Sequence, residues 1–106
     1  MTSRRATYRT LAAAIDDLTR RGFVEQFEIA GDRLRALPSG ATFSADELRI
    51  REHHRFEGVS DPDDMAVVYA IESRTGVRGT LADAFGVYSD PRVSAFLRTV
   101  RFDEGR

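Results

Sequence analysis

The densest set of groups that could do chemistry lies between Arg49 and Glu72, with one outlier at Asp83. Asp61, Asp63 and Asp64 stand in an Asp-Pro-Asp-Asp turn, with Glu57 upstream. Hard carboxylate oxygens of this kind can hold a divalent cation. The spacing lacks the central Gly and terminal Glu of an EF-hand loop, so the first reading is a turn whose Asp side chains bond nearby backbone N–H groups. His53 and His54 could each supply a general base. Adjacent strand residues face opposite ways, so the two cannot work as a pair, and no Ser or Asp motif accompanies them. Arg49, Arg51, His53 and Arg55 share one strand parity. Asp83 sits between Ala82 and Ala84; if buried it needs a cation, and Arg55 or Arg78 could serve. Glu57 and Glu72 fall at strand ends, where a carboxylate pair is conceivable. The candidate ligand-binding set is therefore Arg49, His53, Arg55, Glu57, Glu72 and Asp83, with Asp61, Asp63 and Asp64 as the weaker metal candidates.

Absences narrow the chemistry further. The chain has no Cys, which removes disulfides, thiol catalysis and thiolate metal sites. All 16 of its basic residues are Arg. Without Lys there is no Schiff base and no P-loop lysine. Arg does not shuttle protons at neutral pH but binds carboxylate and phosphate well. Gly58, Gly79 and Gly86 form no nucleotide-binding fingerprint, and no cofactor is expected.

With 106 residues the chain suits a single domain, 1–106, with one modest core. A hydrophobic share of 42% with 31% charged residues fits a globular rather than a disordered protein. The formal net charge of -1 argues against nucleic acid as a partner. No apolar run is long enough to span a bilayer, and Asp16 and Asp17 interrupt any signal-peptide pattern. The expected location is the cytoplasm, with no membrane contact.

These residues need elements to position them. Tyr8, Leu11, Ile15 and Leu18 recur at helical spacing, with Gly22 as the residue after the helix. Phe23 to Ala30 alternates like a strand, Gly31-Asp32 turns, and Arg33 to Leu37 returns. Ser44 and Glu47 suggest a capping box over a single turn. Leu48 to Glu57, Met65 to Ser73 and Val77 to Phe85 read as strands, with Gly79 marking a bulge or a close contact. Asp90-Pro91 opens a second helix with Val93, Phe96, Leu97 and Val100 along one stripe. Short turns imply antiparallel neighbours. The expected fold is α+β: an antiparallel sheet of four to five strands with the N- and C-terminal helices packed on one face.

The other face of that sheet would then be open. Ala66, Val68, Ala70, Ala82 and Ala84 make it small and apolar, beside Arg49, His53 and Arg55. Two partners fit such a face. One is a second copy of the chain, with charged residues at the rim of a homodimer. The other is a small phosphorylated or carboxylated ligand held by arginine forks. The first gives a non-enzymatic domain acting through self-association or partner binding. The alternative is an enzyme or sensor.

Arg21-Gly22-Phe23, RFEGVSDPDD, VVYAIES and Asp83-Ala84-Phe85-Gly86-Val87-Tyr88 together resemble a family of small bacterial proteins commonly labelled phosphoribosylpyrophosphate synthetase. The resemblance runs from the first helix to Tyr88, with Phe85 standing where the family has Tyr. It implies phosphosugar-type ligands at most, because the true synthetase is a much larger two-domain enzyme whose pyrophosphate loop and ATP site have no counterpart in this chain.

Overall fold

A computed structural model describes residues 10–56, 66–84 and 89–103. Helix α1 spans Leu11–Arg20. Thr10 caps its start, the Oγ1 accepting from the Ala13 N–H at 3.0 Å. Its end is a Schellman turn: the Phe23 N–H donates to the Leu18 carbonyl at 2.9 Å and the Gly22 N–H to that of Thr19 at 3.1 Å. Gly22 takes φ 109°, which a residue with a Cβ rarely adopts. Phe23 and Leu18 then pack together in one cluster.

Seven strands follow: β1 (Glu25–Ala30), β2 (Arg33–Leu37), β3 (Thr42–Phe43), β4 (Leu48–Phe56), β5 (Ala66–Ser73), β6 (Arg78–Ala84) and β7 (Arg101–Phe102). A 3-10 turn, Ala45–Glu47, separates β3 from β4, its first residues tied down by the Glu47 carboxylate accepting from the Ser44 N–H at 2.8 Å. Helix α2 spans Pro91–Leu97, and the Asp90 side chain accepts from the Arg92 N–H at 2.9 Å.

The strands form one sheet in the order β3-β2-β1-β6-β5-β4-β7. Its two antiparallel halves, β1-β2-β3 and β4-β5-β6, join where β1 pairs parallel with β6, Glu25 opposite Gly79 and Gln26 opposite Thr80. At that seam Gly79 is required. A Cβ there would lie 2.5 Å from the Glu25 carbonyl oxygen and 2.9 Å from the Phe27 ring. β7 pairs parallel with β4.

Connectivity forces this sheet to curl. β3 and β4 stand five strand positions apart, about 24 Å across a flat sheet. The five steps from Phe43 to Leu48 reach at most about 18 Å, and less through a 3-10 turn. The sheet therefore closes partway on itself, as a mixed half-barrel. Its concave side holds one core drawn from both ends, with Phe27, Leu34, Phe43, Leu48, Ile50, Ile71 and Leu81 packed under Val93, Phe96, Leu97 and Val100 of the α2 region. Rings from non-adjacent strands meet there, Phe27 and Phe43 standing edge-to-face at 6.2 Å.

The expected fold is thus corrected in three respects. Among the described residues the sheet has seven strands, not four or five. It is mixed, not antiparallel. The helices lie on opposite faces, since α1 packs Ala14, Leu18, Leu11 and Ile15 on Val68 and Ala70, in a core separate from that of α2. The small residues on β5, read as an open face, are the seat of α1. Val68 and Ala70 are fully buried, while Ala82 is exposed. Small side chains on both elements let helix and sheet approach closely. Tyr8, Met65 and Phe85 lie outside the described residues.

Candidate functional site

One irregularity in β4 decides which candidate residues meet. Arg49 pairs with Glu72 and Ile50 with Ile71, but the next pair is Glu52 with Ala70. Arg51 is a bulge, and beyond it every side chain changes face. Arg49 and Glu72 therefore lie on the convex side with α1, whereas His53 and Arg55 lie on the concave side. The shared arginine face expected from parity does not form. Glu57, Asp61, Asp63 and Asp64 lie outside the described residues.

On the convex side the charges pair with each other. Glu72 meets Arg78 at 3.2 Å and Arg51 at 3.7 Å. Asp103 meets Arg51 at 3.1 Å and Arg49 at 3.4 Å. Arg78 also lies over the Phe23 ring, 5.5 Å from its centroid. Glu52 takes the Arg21 guanidinium with both oxygens and sits 2.8 Å from His54 Nε2. Burial pushes the Glu52 carboxyl up, but the bonds to Arg21 and His54 outweigh it and leave the acid stronger than usual. These partly exposed pairs contribute little individually, and their arrangement is that of a structural surface.

The concave side differs. Three rows cross strands β4, β5 and β6: Ile50, Ile71 and Gly79; then His53, Tyr69 and Leu81; then Arg55, Val67 and Asp83. The face thus changes from apolar to polar toward the Arg55 end. His53 stacks on Tyr69 at 6.1 Å and meets the Phe102 ring edge-on at 6.0 Å. Arg55 and Asp83 flank the short Val67, two strand spacings or about 10 Å apart. Tyr69 stands one row behind, close enough to feel both charges.

The Asp83 carboxylate accepts from the Asp90 N–H at 3.3 and 3.4 Å, so it also holds the start of α2. Arg78, one suggested partner, pairs with Glu72 instead. Burial raises the Asp83 pKa, and the negative charge of Asp90 adds to this against the backbone N–H bonds that lower it. Burial and the charge of Asp83 likewise raise the Tyr69 phenol, with Arg55 opposing. A phenol that ionises later than usual is a hydrogen-bond donor rather than a nucleophile or base. The group can hold an anion at one end and a hydroxyl or amine at the other, against an aromatic wall.

Tyr69 and Phe102 were not among the candidate residues. Tyr69 reads as core in an aliphatic strand, although a lone phenol in Met-Ala-Val-Val-Tyr-Ala-Ile is the one available signal. Phe102 belongs to a two-residue strand with no periodicity to detect.

Comparison with protein-family models, curated proteins and solved structures returned no match. Among the described residues, no group of three or more His, Asp or Glu side chains is placed to hold a metal ion. No helix among them is long and apolar enough to cross a membrane.

The raised Asp83 pKa gives a signed expectation. Its folded pKa lies above the ordinary 3.8, so its stabilising contribution is full below that value and is lost as pH rises through the folded pKa. Asp83→Asn keeps an oxygen for the Asp90 N–H and removes the titration. The melting temperature of the variant relative to the parent should therefore increase between pH 3.5 and pH 7. A difference that is flat or falls over that range contradicts the placement of Asp83.

Proposed function

We propose that this chain is a small-ligand-binding domain whose site is the polar mouth of the concave face, formed by Arg55, His53, Tyr69 and Asp83. The ligand class is a small phosphorylated or carboxylated molecule that also carries hydroxyl or amine groups. Arg55 takes the anion, Asp83 and Tyr69 bond the polar body, and His53 with Phe102 flanks it. The carrying observation is the change from apolar to polar rows across β4, β5 and β6 on the inner side of a curled sheet. An interior that served stability alone would continue the Ile50–Ile71 pattern to its end. No catalytic step is assigned.

Self-association, the other expectation, needs a surface other than the Val68–Ala70 face, which α1 occupies. Phosphosugars are the phosphorylated compounds to try first, as the sequence resemblance implies.

Thermal melts test the reading with ribose 5-phosphate, glycerol 3-phosphate and malate as probes. Specific binding at 100-fold excess over Kd adds about 2.7 kcal/mol of stability. One of the three should raise the melting temperature of the parent, and Arg55→Gln and Asp83→Asn should each reduce that rise. A rise undiminished in both variants, or none with any probe at 10 mM, overturns the proposal.

A further inference from the structure

At the far end of β4 from Arg55 lies a second concavity of about 330 Å³. Six residues of extended strand separate Arg49 from Arg55, roughly 20 Å, so the two places are distinct. The cleft is lined by Asp46, Glu47, Arg49, Arg74, Thr99 and Arg101, among others. Its three arginines come from three parts of the fold: the start of β4, the turn between β5 and β6, and β7 after α2. The walls are tied together where the Arg74 N–H donates to the Glu47 carbonyl at 2.9 Å.

The charges in this cleft are unevenly satisfied. The Glu47 carboxylate accepts from the Ser44 N–H at 2.8 Å and lies 3.5 Å from Arg33. The Asp46 carboxylate takes the Ser44 hydroxyl. Asp46 is thus engaged by its own turn, and Glu47 by its turn and by Arg33 of β2. Arg49 has one weak partner, Asp103 at 3.4 Å. The Ser44 hydroxyl and, more weakly, the charge of Arg74 hold the Asp46 carboxyl below its usual range, while neither Arg74 nor Arg101 makes a close ion pair among the described residues. Elsewhere this chain pairs its arginines closely: Arg20, Arg35, Arg51, Arg78 and Arg92 each have a carboxylate within 3.2 Å. Three guanidinium groups line the cleft against the two carboxylates of Asp46 and Glu47, which leaves it with an excess of positive charge.

We infer that this cleft is a second anion site, built for a phosphate or diphosphate group of a small molecule. Guanidinium forks arriving from three directions suit a tetrahedral oxyanion, which presents oxygens all round, better than a planar carboxylate. The volume lies at the small end of ligand pockets, enough for a diphosphate or a compact phosphomonoester. The site shares no residue with the mouth around Arg55 and stands whether or not that reading holds.

Calorimetric titration with inorganic pyrophosphate tests the inference on the parent chain, on the double variant Arg74→Gln/Arg101→Gln, and on Arg55→Gln. Arg74 and Arg101 are exposed, so their replacement leaves the core untouched. The parent should bind, the double variant should lose at least about tenfold in affinity (one lost charged contact of about 1.4 kcal/mol suffices), and Arg55→Gln should match the parent. Raising the salt from 50 to 500 mM should weaken the parent's binding. No heat of binding with pyrophosphate up to 10 mM overturns the site, as does an unchanged affinity in the double variant. Citrate binding as tightly as pyrophosphate overturns the phosphate assignment. Loss of binding in Arg55→Gln alone assigns the pyrophosphate to the other mouth and sinks this inference while supporting that reading.

Discussion

Val68→Arg should leave the chain unable to fold. Val68 is fully buried between α1 and the sheet, in a cluster with Ala14, Leu18, Phe23 and Ala70. A guanidinium there has no room and no carboxylate within the cluster. Burying an unpaired charge costs several kcal/mol, a large share of the roughly 5–15 kcal/mol that holds a domain together. Far-ultraviolet circular dichroism should show loss of the native spectrum at 25 °C. Ala82, opposite Val68 on β6, is the control. It is exposed, so Ala82→Arg should change stability by no more than about 0.5 kcal/mol. If the protein were a dimer through an open face around Val68, the same substitution would give a folded monomer. A native spectrum for Val68→Arg would therefore place α1 elsewhere.

Gly79→Ala is the second large effect, and it acts at the seam between the two halves of the sheet. The added Cβ would stand 2.5 Å from the Glu25 carbonyl oxygen and 2.8 Å from its carbon. Both are backbone atoms of the paired strand, so relief requires β1 to move away from β6. The Phe27 ring, 2.9 Å from the same position, belongs to the concave core and has little freedom either. Overpacking of this kind typically costs 1–3 kcal/mol, and the backbone clash puts the expected loss at about 3 kcal/mol. For a domain near this size that lowers the melting temperature by roughly 12–24 °C. A loss under about 4 °C would mean that β1 and β6 are not paired here.

Much of this architecture was legible residue by residue, while its assembly was not. Alternation located β1, β2, β4, β5 and β6 to within two residues, and the caps at Gly22, Ser44 and Asp90 stand where their chemistry put them. These are local signals, set by neighbours in sequence. The β1–β6 pairing is a long-range contact between Glu25 and Gly79, and the only trace it leaves is a glycine in a strand. The faces were misjudged because Ala66, Val68 and Ala70 look alike whether a helix, a partner or water covers them.

The candidate site shows the same division. His53, Arg55 and Asp83 were recognised as candidates and do share the concave face. Arg49 was grouped with them by parity and Glu72 by its place at a strand end, and parity holds only while the ladder is regular. The bulge at Arg51 breaks it, and nothing in Ile50-Arg51-Glu52 announces a bulge. The Arg74–Arg101 cleft escaped because it joins a hairpin turn to a two-residue strand, neither of which carries a periodic pattern.

The central claim is that the mouth between β4, β5 and β6 on the concave face binds a small anionic ligand. Two-dimensional amide NMR during titration with ribose 5-phosphate, glycerol 3-phosphate and malate tests it most directly. At least one probe should shift the amides of Arg55, Val67, Tyr69 and Asp83 in a saturable way, leaving those of α1 unmoved. Saturable shifts confined to α1 and the convex residues Arg49 and Glu72, or no saturable shift with any probe at 10 mM, would contradict it.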